Sequence, residues 1–206
     1  MKKIFIFLIV LLMFCGCKDD KNEKMKSKTN IVSNKELLKG WKVFTNDSMT
    51  VNIPSSWKPK KAMNTLFYVP LDKNEADLYY VILKTDISII NVRDYLKEIF
   101  KQMSQKDKDF TYLVKKINLK NATSFYTIDL YSKEENIKYK AYCLIYQKDN
   151  VIYDFSYKCL NDEKTNIENY RIFYNVLFSF EYKYDHIIDS EKFIVDNEEL
   201  IKYEDL

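Results

Sequence analysis

Glycine is nearly missing from this chain, since Gly16 and Gly40 are the only two among 206 residues. A P-loop and a dinucleotide-binding fingerprint both need glycine where the backbone approaches a phosphate, so neither can be formed here. Histidine is equally scarce. His186 alone excludes multi-histidine metal sites and is the single candidate for any Ser-His or Cys-His catalytic pair. The composition therefore argues against these nucleotide-binding and metal-dependent enzyme classes.

Arginine is the third scarce residue, with Arg93 and Arg171 alone among 33 basic side chains. Arginine supplies the planar fork that favours bidentate recognition of phosphate and guanine. The formal net charge is +3, and without the first 16 residues the chain has 31 basic and 30 acidic residues, a net charge of +1. We therefore do not expect a nucleic acid as partner.

The N-terminal residues have the pattern of a secretory signal. Two lysines precede an unbroken apolar run over residues 4–14, and Cys15, Gly16 and Cys17 follow. The run is too short to span a bilayer core, which needs about 20 residues in a helix. We therefore expect a signal peptide over residues 1–16 rather than a retained anchor helix.

Residues 14–17, with the sequence Phe-Cys-Gly-Cys, resemble a bacterial lipobox. The resemblance implies cleavage between Gly16 and Cys17 and a diacylglyceryl group on Cys17, the new N-terminus. The usual leucine at the third position before the cysteine is replaced by Phe14, a relaxed pattern similar to that of Bacteroidota lipoproteins. Cys15 is a competing acceptor, but bulky Phe14 precedes it. A cleaved signal peptide without a lipid is the alternative.

The residues after the cleavage site are strongly polar. Residues 18–34 are mostly Lys, Asp, Asn, Ser and Thr, so residues 17–34 are expected to form the lipidated cysteine and a flexible tether. Lys18-Asp19-Asp20 resembles the signal that exports some Bacteroidota lipoproteins to the outer face of the outer membrane; a solvated tether is the alternative. We expect an outer-membrane lipoprotein of the cell envelope, with surface exposure depending on that signal.

Strand and helix patterns alternate from Trp41 onward without a linker or repeat, which predicts one domain over residues 35–183. Apolar residues at helical spacing predict a helix over residues 91–104, capped by Asn91. A second helix is predicted over residues 166–178, beginning with a capping box of Thr165 and Glu168. Alternating or doubly apolar segments predict strands over residues 41–45, 49–53, 77–85, 111–118, 122–131, 137–147 and 151–158.

The last two strands are predicted to form a hairpin that keeps the domain's two cysteines apart. Matching their odd-numbered apolar residues pairs Gln147 with Val151 and Cys143 with Phe155. Cys159 is then displaced from Cys143 by four residues, or roughly 13 Å. A disulfide needs Cα atoms within about 7 Å, so we predict two free thiols.

The domain resembles the PsbP/DcrB-type fold over residues 41–181. The resemblance rests on the pattern Val51-Asn52-Ile53-Pro54-Ser55-Ser56-Trp57, a mid-chain helix, a run of antiparallel strands and a final helix ending Leu177-Phe178-Ser179-Phe180. It implies an α+β fold in which helices flank an antiparallel sheet, as an α/β/α sandwich. Proteins of this type range from photosystem subunits to small lipoproteins and secretion-system chaperones, so the fold implies no active site.

The candidate catalytic groups have simpler interpretations. Asp185 or Asp189 could orient the imidazole of His186, but a solvated or packing histidine is the simpler interpretation. The carboxylate pairs Glu134-Glu135 and Glu198-Glu199 lie in polar segments and are interpreted as solvated charge. No catalytic, cofactor-binding or metal-ligating residue is predicted.

Residues 184–206 form an acidic C-terminal extension. Eight acidic residues and two lysines give it a net charge of -6, and apolar residues are interleaved with them. The pattern predicts either a strand or short helix docked on the domain, or an acidic segment that binds a partner.

These patterns predict a non-enzymatic binding or assembly module, held at the membrane by the lipid on Cys17, with an envelope protein as partner. Two alternatives remain open. One is a lipoprotein immunity factor that neutralises a competitor's toxin, and the other is a hydrolase with an unrecognised site.

Overall fold

The computed structural model describes residues 37–46, 48–60, 65–70, 79–86 and 91–206, all of which belong to one compact unit spanning residues 33–206. The predicted signal peptide, the cleavage site between Gly16 and Cys17, the lipidation of Cys17 and the tether lie outside the described residues. These features, and the domain boundaries, remain predictions.

Within the described residues, eleven strands and two α-helices form an α+β fold with two antiparallel sheets, which confirms the predicted fold class. The strands are β1 (Trp41–Thr45), β2 (Met49–Pro54), β3 (Thr65–Pro70), β4 (Tyr79–Asp86), β5 (Thr111–Leu119), β6 (Ser124–Glu134), β7 (Ile137–Lys148), β8 (Val151–Leu160), β9 (Glu181–Tyr182), β10 (Asp185–His186) and β11 (Val195–Ile201). The helices are α1 (Val92–Lys106) and α2 (Asn166–Ser179).

The larger sheet has seven strands in the order β11-β5-β6-β7-β8-β4-β3, and the smaller one has the order β1-β2-β9-β10. Helix α1 packs on one face of the larger sheet, where Leu96 and Phe100 join a core with Ile128 and Ile145. Helix α2 packs on the opposite face, where Phe173 lies against the ring of Tyr80 at 5.6 Å between centroids. The larger sheet thus lies between the two helices.

Helix α1 is confirmed with its predicted cap. The side chain of Asn91 accepts a hydrogen bond of 2.9 Å from the backbone N–H of Asp94, which satisfies one of the free donors at the helix start. The helix ends at Lys106, two residues beyond the prediction. The N-terminal end of α1 is therefore fixed in place over the sheet.

Helix α2 is confirmed over residues 166–179, but its predicted capping box is wrong. Thr165 has helical backbone angles and makes no side-chain cap bond. The carbonyl of Asp162 already accepts from the backbone N–H groups of Thr165 and Asn166, so the chain turns before the helix begins. Ile167 in its first turn is 68% exposed, whereas Val176 is buried.

The β7–β8 hairpin forms, but its register differs from the prediction by one residue. Lys148 pairs with Val151, and Asp149 and Asn150 form a two-residue turn with φ of +49° and +58°. Positive φ at both turn positions is typical of the type I′ turn, which Asp and Asn tolerate. The short turn therefore pairs odd residues of one strand with even residues of the other.

The corrected register strengthens the prediction about the cysteines. Cys143 pairs with Ser156 and Cys159 pairs with Lys140, so the two thiols lie three pairs apart along the hairpin. Because side chains alternate between faces, they also lie on opposite faces of the sheet. Both cysteines are buried and free, which confirms the predicted free thiols.

Several strands were not predicted. One of them, β11, shows how the acidic extension over residues 184–206 is placed. Strands β3, β9 and β10 were missed, and β11 pairs with β5 at the edge of the larger sheet. The C-terminal Leu206 is 7% exposed and belongs to the core beneath α1. Residues 184–206 are therefore docked on the domain, the first of the two interpretations above.

Candidate ligand-binding cleft

A cleft of about 450 Å³ opens at the N-terminal end of α1, on the face of the larger sheet that this helix covers. Its lining combines two cationic side chains, four other polar ones and two apolar ones. The lining residues are Asn91, Val92, Arg93, Lys116, Ser124, Tyr126, Ile145 and Gln147.

The strand register brings the sheet side of the cleft together. Tyr126 pairs with Lys116 on β5 and with Ile145 on β7, so these three side chains share one face of the sheet. Gln147 is two residues beyond Ile145 on the same strand and therefore also shares that face. Helix α1 begins at Val92 and packs on the core that contains Ile145, so the cleft lies beside the first turn of the helix.

Four polar side chains in this cleft have no partner among the residues that the structure describes. Among the described residues, the side chains of Arg93, Lys116, Tyr126 and Gln147 make no hydrogen bond or ion pair with one another or with their surroundings. Other lysines on the same strands are paired, as in the 2.7 Å ion pair between Lys115 and Glu198. The cleft thus brings together several polar groups that have no partner among the described residues.

Two carboxylates that neighbour these cations in the sequence or across the sheet accept hydrogen bonds from asparagine side chains. Glu199 pairs with Lys116 across β11 and β5, but its carboxylate accepts a hydrogen bond of 3.0 Å from the side chain of Asn118. The carboxylate of Asp94 accepts a short hydrogen bond from the side-chain amide of Asn91. The described lining residues themselves include two cations and no carboxylate.

The chemical groups of the lining follow from its residues. The described lining residues include no carboxylate, imidazole or thiol, the groups that most often act as general acid, base or nucleophile. What they offer is two positive charges, two amides, two hydroxyl groups and an apolar floor.

His186 lies away from this cleft, in β10 of the smaller sheet. Its Nε2 lies 3.1 Å from Oε1 of Glu181, and its side chain is 46% exposed. Asp185 pairs with Lys148 at 2.8 Å, and this hydrogen bond lowers the pKa of Asp185. Asp189 pairs with Lys192 at 3.1 Å, so neither aspartate orients the imidazole.

The predicted carboxylate pairs are separated in the same way. Glu134 binds the ammonium of Lys158 through both oxygens, at 2.8 and 2.9 Å, while Glu135 occupies the β6–β7 turn with φ of +46°. Glu198 is held by Lys115. These groups bind lysines of the sheet and do not converge on one another.

The two cysteines are inert groups of the core. Burial raises the pKa of the Cys143 thiol well above its usual value and that of Cys159 to about 12. A thiol is a nucleophile only as the thiolate, so neither is suited to catalysis at neutral pH.

A polar network joins α1 to the larger sheet near Cys143. The hydroxyl of Tyr95 donates to Oδ2 of Asp154 at 2.6 Å, and the hydroxyl of Ser156 donates to the other carboxylate oxygen. Burial raises the pKa of Asp154, while the two hydrogen bonds oppose this shift. The network serves to position the helix that forms one wall of the cleft.

The described part of the chain contains no cluster of three or more His, Cys, Asp or Glu side chains suited to a metal ion. Among these same residues, no helix combines the length and the apolar character needed to cross a membrane.

Sequence reasoning missed the cleft because none of its residues stands out alone. Lys116 and Tyr126 belong to ordinary alternating strands, and Arg93 belongs to the polar side of an amphipathic helix. The one usable signal is that Arg93 is one of two arginines in a lysine-rich chain. Only the pairing of β5, β6 and β7 shows that these side chains meet.

No protein-family model matches the chain, and no curated protein matches it. Among solved structures, it is similar to a cyanobacterial PsbP from Synechocystis sp. PCC 6803, at 12% identity, with 70% of this chain and 94% of that chain covered and a TM-score of 0.49. It is also similar to PA94, a protein of unknown function from Pseudomonas aeruginosa, at 12% identity, 62% and 88% coverage and a TM-score of 0.40. A third is LpqN of Mycobacterium tuberculosis, described as involved in cell envelope biogenesis, at 8% identity, 68% and 89% coverage and a TM-score of 0.38. At these identities the likeness concerns the fold alone.

Proposed function

We propose that this chain is an outer-membrane lipoprotein of the cell envelope, anchored through Cys17, that acts as a non-enzymatic binding module. The cleft at the N-terminal end of α1 is its ligand-binding site. The anchor is supported by the apolar run over residues 4–14 and the lipobox-like residues 14–17.

One observation carries the binding role. Among the described residues, four polar side chains meet in one cleft without partners, although their neighbours on the same strands are paired. Polar groups that converge on a concave, partly apolar surface are the usual features of a small-molecule site. The absence of acidic, imidazole and thiol groups from the described lining fits binding without chemical conversion.

Thermal unfolding tests this proposal with the full, lipidated chain in detergent. The ligand source is the small-molecule fraction of an envelope extract from a producing Gram-negative bacterium. A ligand that binds only the folded state, and whose free concentration is 100 times its Kd, stabilises the folded state by about 2.7 kcal/mol. At about 2–4 °C per kcal/mol for a domain of this size, Tm should rise by roughly 5 to 11 °C.

A matched pair of double variants assigns the effect to the cleft. Arg93→Gln with Lys116→Gln removes one positive charge from α1 and one from β5, both in the cleft. Lys101→Gln with Lys115→Gln removes the same charges from the same two elements outside it. The extract should raise Tm for the wild type and the second variant only. No increase in the wild type, or an equal increase in the first variant, would contradict the proposal.

A further inference from the structure

We infer that the cleft binds an acidic sugar, meaning a small saccharide that carries one carboxylate or phosphate group. This inference rests on the proposed function, because it names the ligand class of the same cleft. It is argued from the charge of the lining, its polar and apolar parts, and its size.

The two positive charges of the lining favour an anionic ligand. Arg93 lies on the helix wall and Lys116 on the sheet wall, so two cations approach the cleft from different elements. A guanidinium binds a carboxylate or phosphate through two parallel hydrogen bonds, and an ammonium adds a point charge. Glu199, the acidic neighbour of Lys116, is bound to Asn118.

The N-terminal end of α1 is not the source of this selectivity. Asn91 caps the helix through the backbone N–H of Asp94, and the Asp94 carboxylate already lies in the first turn. The partial positive charge at the start of the helix is therefore already compensated by the side chains of Asn91 and Asp94. The binding energy for an anion must come from the side chains of Arg93 and Lys116.

The remaining lining suits a hydroxylated molecule with an apolar face. Gln147 offers amide donors and an acceptor, and Tyr126 offers a hydroxyl that both donates and accepts. Beneath them Ile145 is 1% exposed and Val92 is 9% exposed, which gives the cleft an apolar floor. A sugar ring has hydroxyl groups at its edge and C–H groups on its face, and so matches both parts.

The size of the cleft suits one or two sugar rings. Its volume of about 450 Å³ lies in the lower half of the range of small-molecule pockets, about 300–1,000 Å³. A long polysaccharide could therefore place only a terminal or single acidic residue in it.

Isothermal titration of the full chain in detergent micelles tests the inference with four probes. Glucuronate carries a carboxylate, glucose 6-phosphate carries a phosphate, glucose carries neither, and butyrate carries a carboxylate without hydroxyl groups. We expect at least one acidic sugar to bind at least tenfold more tightly than both glucose and butyrate. Binding of glucuronate alone identifies a carboxylated sugar, binding of glucose 6-phosphate alone identifies a phosphorylated one, and binding of both identifies the shared negative charge.

Variants connect the selectivity to the cleft. Arg93→Gln and Lys116→Gln should each weaken binding of the acidic sugar at least tenfold, whereas Lys115→Gln, which removes a charge from the opposite face of β5, should change it less than twofold. Three results would overturn the inference. Glucose or butyrate could bind as tightly as the acidic sugars, no probe could bind, or all three variants could lose binding equally. If no probe binds while the envelope extract still raises Tm through the cleft, the ligand class is wrong and the proposed function stands. If no probe binds and the extract does not raise Tm, both the inference and the proposed function are wrong.

Discussion

Replacing Tyr95 by phenylalanine should loosen helix α1 from the larger sheet, because the Tyr95 hydroxyl is one of two donors to the Asp154 carboxylate. The hydroxyl lies 2.6 Å from Oδ2 of Asp154, and Ser156 donates to the other oxygen. Tyr95→Phe keeps the ring and leaves a partly buried carboxylate with one donor. The variant therefore isolates a single hydrogen bond to a charged group.

The expected cost follows from the charge of the acceptor. A hydrogen bond to a charged group contributes about 1.5–3 kcal/mol, so Tm should fall by roughly 3 to 12 °C at about 2–4 °C per kcal/mol. In an Asp154→Asn background the acceptor is neutral, and Tyr95→Phe should cost only about 0.5–1.5 kcal/mol. Urea unfolding of the four proteins forms a double-mutant cycle with an expected coupling of about 1 kcal/mol.

The pH dependence gives an independent check on Asp154. Burial raises its pKa in the folded chain above the ordinary value of 3.8. As pH rises above 3.8, the unfolded chain therefore loses its proton first, and the folded state loses stability until pH passes the folded pKa. Between those two values the wild type should lose stability relative to Asp154→Asn, and above them the difference should be constant.

Two results would refute this reasoning. The first is a coupling below about 0.5 kcal/mol, the usual scatter of independent sites, which would mean that the hydroxyl and the carboxylate do not interact. The second is a wild type that gains stability relative to Asp154→Asn as pH rises above 3.8, because this would require a lowered pKa for Asp154 in the folded chain.

Three further predictions concern the anchor, the thiols and the C-terminus. Labelling with an alkyne fatty acid should fail for Cys17→Ala and survive Cys15→Ala; the reverse would show that the other cysteine carries the lipid. The mature lipidated chain should be alkylated at pH 8 without reductant. Because both domain thiols are free and buried, two groups should be added in denaturant and none in the native state. Fewer than two added groups in denaturant would indicate a disulfide. Leu206→Ala should reduce the free energy of unfolding by about 2 kcal/mol or more, since the side chain is 7% exposed, whereas Leu200→Ala, at 62% exposed, should change it by less than about 0.5 kcal/mol. Equal effects of the two leucine variants would mean that the C-terminus does not pack in the core.

Local patterns predicted both helices, but only for α1 did every local signal agree with the structure. The apolar stripe of α1 and its Asn91 cap both act within the helix, and the observed start at Val92 follows from them. Thr165 had the residue type of a cap, but its hydroxyl donates to the Asp162 carbonyl, and the same carbonyl accepts the Thr165 backbone N–H that Glu168 would bind in a capping box. A bond formed by the preceding turn is not visible in a capping pattern.

The hairpin register could not be predicted from alternation, because both faces of its strands are buried. Cys143, Leu144 and Ile145 are consecutive and all at most 6% exposed, so apolar residues occur at odd and even positions alike. The two-residue turn at Asp149 and Asn150 decides the register instead. Backbone angles of this kind are tolerated by Asp and Asn but not required by them.

The cleft is a property of tertiary structure. Its residues come from α1 and its cap and from β5, β6 and β7, so that two whole strands and most of a third separate Arg93 from Gln147 in the sequence. Each residue type is common on a helix or strand surface. Only the combination of strand register and the starting point of α1 brings the free cations together, and a sequence pattern contains neither.

Chemical-shift mapping tests the central claim, binding in the cleft, most directly. The ¹⁵N-labelled full chain in detergent would be titrated with the small-molecule envelope fraction, and its backbone amide signals would be followed. We predict that the largest shifts fall at residues 91–93, 116, 124–126 and 145–147, and that Arg93→Gln with Lys116→Gln removes them. Shifts centred elsewhere, such as along β11 or around His186, or no shifts at all, would contradict the account.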